Sequence, residues 1–183
     1  MLFGGIPSLL RGSRQSVAVL SGRETAAELS GLEEDIFSYS GLGCRNVSLL
    51  FLPRGYLPEL RCTALNEKYR RNYLRERALL RMRRMPFVDL DGAVLCEDRS
   101  FPAALSCIHY TFYDSLADVE AWLAAHDDRL QCVVSQCVRH SRRFRAGAAS
   151  RFDRLCRRRG YDAVSRYDLI RKNIVRGRFR IIS

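Results

Sequence analysis

Four short runs rich in β-branched and aromatic residues, separated by stretches with helical spacing, limit what this chain can fold into. They are Ser16 to Leu20 (SVAVL), Asn46 to Leu52 (NVSLLFL), Leu105 to Tyr113 (LSCIHYTFY) and Leu130 to Ser135 (LQCVVS). Each is bounded by turn residues and reads as a strand. Between the first two, Thr25 opens a helix, with Glu28 three residues on completing a capping box. Leu29, Leu32, Ile36 and Phe37 then fall on one apolar face, and Gly41 and Gly43 end the helix. Asn66 to Arg84 is a charged helical stretch stopped by Pro86. Val88 to Leu90 and Ala93 to Cys96 flank Asp91-Gly92, a hairpin signal. Ser115 caps a third helix, with Leu116, Val119, Trp122 and Leu123 on one face. Strands alternating with helices predict an α/β domain.

The chain has 183 residues, enough for one domain with a real core. No run approaches the roughly 18 apolar residues of a membrane span, and Met1 to Leu10 lacks the basic start and long apolar centre of a signal peptide. Seven cysteines form no regular framework, which favours reduced thiols and a cytoplasmic setting. The net charge of +11 suggests a nucleic-acid binder at first sight. Its distribution changes that reading. Arg139 to Ser183 holds 15 of the 31 basic residues and three of the 20 acidic ones, a net of +12, so Met1 to Val138 is at −1. The body is neutral and the basicity belongs to the last quarter.

Among residues that could carry chemistry, Cys44 is the leading candidate. It lies between an amphipathic helix and a strand, in Gly41-Leu42-Gly43-Cys44-Arg45-Asn46. Glycines on its approach would leave room near the backbone, and Arg45 beside it would favour the thiolate. A buried structural cysteine is the plainer alternative on local features. Cys62 reads as a structural cysteine in a loop, and Cys96, Cys107 and Cys132 as small apolar residues of strands. Cys132, Cys137 and His140 could be drawn as zinc ligands, but the spacing is not a standard one and a fourth ligand is missing, so no metal site is expected. His109 reads as a satisfied strand histidine, and Glu33, Glu34 and Asp35 as the polar face of their helix. No GxGxxG follows a strand.

Three segments carry a resemblance. They are Val17 to Thr25 (VAVLSGRET), Glu34 to Phe37 (EDIF) and Gly41 to Ser48 (GLGCRNVS). They are similar to the acyl-CoA reductases related to LuxC, within the aldehyde dehydrogenase superfamily. The similarity continues through Leu52 to Tyr56, Asn66 to Tyr73, Phe87 to Glu97 and Tyr110 to Ser115, and ends at Gln131 to Ser135. It implies a partial aldehyde-dehydrogenase-like catalytic domain with Cys44 as nucleophile. The cysteine would take the acyl group from acyl-CoA, and NADPH or NADH would reduce the thioester to an aldehyde. The backbone N–H of Cys44 would serve as an oxyanion donor. Hydrolytic members carry a glutamate base in Glu-Leu-Gly-Gly-Lys; the matching run here is Val19 to Arg23, with Val19 at the base position, which suits a reductase.

Family members are longer, with the nicotinamide region mostly upstream, so the resemblance implies that the cofactor-binding region is largely absent and the chain inactive by itself. The expected organisation is a catalytic segment over 1–136 and an irregular basic tail over 137–183. Similarity stops where arginine begins to dominate, as when a GC-rich gene is read out of register. Arg143 to Val164, back-translated and shifted by one base, can be written to contain Asp-Tyr-Ala-Asp-Gly-Val-Asp, like the family's usual ending. The tail is therefore expected to be frame-shifted and to add little to the core. The alternative function is a small basic protein using that tail on nucleic acid or an anionic surface.

Overall fold

The structure is a computed structural model that describes residues 14–43, 45–63 and 66–146. These fall within one compact unit, Ser13–Ser150. Among the described residues the architecture is α/β: seven strands in one mostly parallel sheet, with three helices. In chain order the elements are β1 (Gln15–Val19), α1 (Ala26–Phe37), β2 (Val47–Pro53), α2 (Glu67–Met82), β3 (Val88–Asp89), β4 (Val94–Glu97), β5 (Cys107–Tyr113), α3 (Leu116–Ala125), β6 (Leu130–Ser135) and β7 (Arg143–Phe144). Across the sheet the order is β3-β4-β5-β2-β1-β6-β7, and only β3 runs antiparallel to its neighbour. The chain thus leaves β1 toward β2 on one side and returns after β5 to β6 on the other.

Two-residue alternation along the strands splits the core between the faces of the sheet. Ala18, Leu50, Leu52, Leu95, Ile108, Cys132 and Val134 meet Leu32, Ile36 and Phe37 of α1. Val17, Val19, Leu49, Phe51 and Val133 meet Val119 and Leu123 of α3. The capping box of α1 is present, with Thr25 and Glu28 bonding reciprocally. Ser115 caps α3 as its sequence indicates, and Asn66 caps α2. The hairpin turn bends at Asp91 (φ 51°) and Gly92 (φ 155°).

Several details depart from the sequence reading. Asp35 is fully buried rather than on the polar face of α1. Leu116, the first residue of α3, is 36% exposed and stands outside the apolar cluster that holds Val119 and Leu123. Packing also continues past Gln136. Val138 is buried with the α3 cluster, Phe144 packs against the α1 cluster, and β7 pairs in parallel with β6. The Arg142 guanidinium donates to Asp127 O at 2.5 Å and Leu130 O at 2.7 Å, and pairs with Asp127 Oδ2 at 3.1 Å. The remainder of the basic tail, 147–183, lies outside the described residues. Among the described residues no helix is long and apolar enough to cross a membrane.

Candidate functional site

Cys44 lies outside the described residues, as do residues 64 and 65; its neighbours on both sides are described. They form the link from the end of α1 to the start of β2, at the amino end of the strand. Helix α1 stops at Phe37, and Ser38 turns extended at φ −53°, ψ 144°. A tight turn over Ser38–Gly41 follows, with Tyr39 (φ 53°), Ser40 (φ 56°) and Gly41 (φ 65°) in successive left-handed conformations. For a tyrosine and a serine this backbone costs of order 1–3 kcal/mol each, so the surroundings must impose it.

Asn46 supplies much of that constraint. Its buried side-chain amide accepts from Gly43 N at 2.8 Å and donates to Asp35 O and Ile36 O at 3.1 Å each and to Ser38 O at 2.8 Å. Two N–H groups serve three carbonyls, so one is shared. These carbonyls include helix-end acceptors that lack intrahelical donors. One side chain therefore closes α1 and ties Gly43 to its end. Asn46 N also donates to Gly43 O at 2.9 Å.

The glycines serve this packing. A Cβ on Gly43 would stand 2.7 Å from Asn46 Oδ1, so the space above Gly43 is filled by the asparagine rather than left open. Gly41 combines its positive φ with a close approach of the Tyr69 ring, 3.3 Å from where a Cβ would be. Burial pushes the Tyr69 phenol well above its ordinary range. Beside this turn lies an open cleft of about 560 Å³, lined by Glu33, Glu34, Ser38, Tyr39, Ser40 and Thr63, with Asn66 of α2 also on its wall. Its lining mixes polar and apolar groups and includes two carboxylates, which is not the lining an acyl chain selects.

The other candidates lie apart from this turn. Val19, which the resemblance sets at the hydrolytic-base position, is buried against the α3 side. In the β1–β2 pair Ser16 faces Val47 and Val19 faces Phe51, so Val19 sits at the opposite end of the strands, about 13 Å along at 3.3 Å per residue. His109 is in β5 with Nδ1 2.7 Å from Ser100 O; since a carbonyl can only accept, Nδ1 carries the proton. Cys132 packs on the α1 face and Cys137 on the α3 face, with the sheet between them. His140 Nε2 lies 3.3 Å from Asp127. Cys132, Cys137 and His140 therefore do not converge, and among the described residues no three His, Cys, Asp or Glu side chains are arranged to hold a metal.

A doubly wound sheet offers a dinucleotide the crevice outside the carboxyl ends of the strands where the chain reverses direction. Here that is the end of β1 and β6, and its donors are taken. Ser21 N and Gly22 N donate to the Glu24 carboxylate at 2.5 and 3.0 Å, and Thr25 N donates to Glu28 at 2.8 Å. Gln136 Nε2 closes onto Glu28, and Ser135 Oγ donates to Val19 O at 3.0 Å. Carboxylates stand where a pyrophosphate needs free amides, so these residues do not fit a nicotinamide dinucleotide at this crevice.

Among solved structures, the chain is similar to the Delta-pyrroline-5-carboxylate dehydrogenase of Mycobacterium tuberculosis, a structure bound with NAD and cobalamin. Identity is 11%, the TM-score is 0.41, and the match covers 76% of this chain and 32% of that one. The chain thus spans 32% of that enzyme's length. No protein-family model and no curated protein matches the sequence.

Proposed function

We propose that this chain carries the acylation step of an aldehyde-dehydrogenase-type oxidoreductase that acts on acyl-CoA, with Cys44 as the nucleophile. The observation that carries the reading is the fastening of Gly43 and Asn46 to the end of α1 by one buried amide. A nucleophile gains rate when it is held in near-attack geometry, and the fastening of Gly43 and Asn46 supports that reading. The GLGCRNVS run that resembles the acyl-CoA reductases is the same segment.

In the step itself the Cys44 thiolate attacks the thioester carbonyl carbon. A new carbon–sulfur bond forms, the bond to CoA breaks, and the CoA thiolate leaves with the electron pair. Acyl transfer between two sulfurs involves no net oxidation and needs no cofactor. Arg45, next in sequence, favours the thiolate. The anionic part of CoA is matched by α2, whose N-cap Asn66 lies on the cleft wall and which exposes Lys68, Arg70 and Arg75. Glu33 and Glu34 oppose phosphate inside the cleft, so the polyphosphate is expected along the helix. On this reading 1–136 is the catalytic segment, and 137–183 is a basic extension. Hydride transfer from NADPH or NADH is the family's second step, and none of the residues described here is given a part in it.

The test is to incubate the full chain with an acyl-CoA, digest it and map acylated peptides by mass spectrometry. The adduct is expected on Cys44 and absent from Cys44→Ala. An adduct on Cys62 or Cys107 with Cys44 free would overturn the assignment.

A further inference from the structure

Two thiols meet on neighbouring strands of the sheet, away from the turn before β2. Cys96 of β4 and Cys107 of β5 have their sulfurs 3.9 Å apart. Both sit with Tyr73, Val94, Leu80 and Phe87 in a small apolar cluster under α2. Cys96 is 7% exposed and Cys107 is half-buried, so the pair is reachable from the Cys107 side.

Their register decides what they can do. Cys96 faces His109 and Cys107 faces Val94, so the two cysteines are diagonal neighbours two residues out of step. With strands about 4.8 Å apart and a rise of about 3.3 Å per residue, residues two out of step have Cα atoms about 8 Å apart, whereas a disulfide usually takes at most about 6.8 Å. The strands hold the sulfurs in contact yet too far out of step to join. Half of the 3.9 Å separation is about 2 Å, close to the roughly 2.3 Å of a thiolate–metal bond. Glu76 and Asp98 add negative charge beside both sulfurs, which favours a cation there. Zinc needs four ligands, and among the described residues no three-ligand group exists. Two soft thiolates without a third ligand suit Cu(I).

We propose that Cys96 and Cys107 form a two-sulfur clamp for a soft monovalent ion of the Cu(I) type. Binding releases two protons from the thiols and leaves the copper oxidation state unchanged. The test is an anaerobic titration of the reduced full chain with Cu(I) against a chromogenic Cu(I) chelator. Cys96→Ser and Cys107→Ser are each expected to lose the same tightly held equivalent, and the double variant no more than either. Retention of that equivalent in both single variants would overturn the clamp, as would its loss in Cys62→Ser or Cys137→Ser instead. A measurement on the unaltered chain guards against misfolded variants. Cu(I) should protect Cys96 and Cys107 together from alkylation, mapped by peptide mass spectrometry; protection elsewhere with these two open would equally overturn the proposal.

Discussion

The two ends of the β1–β2 pair are both turns fastened by one side chain, and they are fastened differently. At the carboxyl end of β1, Glu24 gathers Ser21 N, Ser21 Oγ and Gly22 N on a carboxylate in a largely exposed turn. At the amino end of β2, Asn46 gathers Gly43 N and three helix-end carbonyls on a buried neutral amide. Water can replace Glu24 at its partners. It cannot easily replace Asn46. The difference suggests which end tolerates change, and the tightly held end is the one next to Cys44. Each turn also has a glycine, for different reasons: Gly22 needs its φ of +82°, whereas Gly43 is held to glycine by the Asn46 side chain occupying its Cβ space.

The largest expected effect is at Asn46. Asn46→Ala leaves buried carbonyls and an amide unpaired and should cost about 2–4 kcal/mol in urea denaturation. Asn46→Asp keeps the shape but turns an acceptor toward three carbonyl oxygens, so it should be at least as damaging at neutral pH. A loss under 1 kcal/mol for both would mean that the amide is not what closes α1. Gly43→Ala comes next. Its Cβ would meet Asn46 Oδ1 at 2.7 Å, and displacing the amide should cost about 1–3 kcal/mol. Acylation of Cys44 should fall with both, since both loosen its neighbours. Stability lost with acylation intact would separate the fold's need for the turn from the chemistry's.

Much of the scaffold was legible because its signals are local. SVAVL, NVSLLFL, LSCIHYTFY and LQCVVS became β1, β2, β5 and β6, and Thr25 with Glu28 closed the capping box. What escaped was long-range. Nothing in EEDIF marks Asp35 as buried while Glu33 and Glu34 are not; that depends on how α1 is rotated against the sheet. Arg143–Phe144 has no strand signature and becomes β7 by pairing with β6, held by Arg142 on Asp127 and Leu130 O. In the candidate site, the sequence pointed to Gly41 and Gly43 as open space. The partner that fills it, Asn46, was within the same motif but unremarked, because an asparagine before a strand looks like any turn residue. The diagonal pairing of Cys96 and Cys107 needs the β4–β5 register, which spacing within one chain segment does not give.

The Glu24 end should respond more weakly. Glu24→Ala releases donors that are near solvent, so the expected loss is about 0.5–1.5 kcal/mol, smaller than for Asn46→Ala measured the same way. Equal losses would remove the contrast between the two turns. The variant also frees Ser21 N and Gly22 N at the crevice between β1 and β6. If those carboxylates are what keep a dinucleotide out, Glu24→Ala should bind inorganic pyrophosphate measurably better than the unaltered chain by calorimetry.

The smallest effect concerns pH. Hydrogen bonds from Thr25 N and Thr25 Oγ1, with the Gln136 contact, hold the Glu28 carboxyl below its ordinary range. A carboxyl depressed in the folded state stabilises fully above its unfolded value of about 4.3 and loses that contribution as pH falls through the folded value. The Ser100 backbone and side chain depress Asp98 in the same sense, and Arg54 depresses Asp114. Stability should therefore decline below about pH 4 from several exposed carboxyls together. Glu28→Gln isolates one of them. Glutamine can still close the capping box onto the Thr25 N–H, but it does not titrate. The melting temperature of Glu28→Gln at pH 6 should stay near that of the unaltered chain, while its drop between pH 5 and pH 3 should be smaller, though not abolished, since Asp98 and Asp114 remain. An unchanged drop would show that the carboxyl at the start of α1 is not among the groups whose protonation weakens the carboxyl end of the sheet.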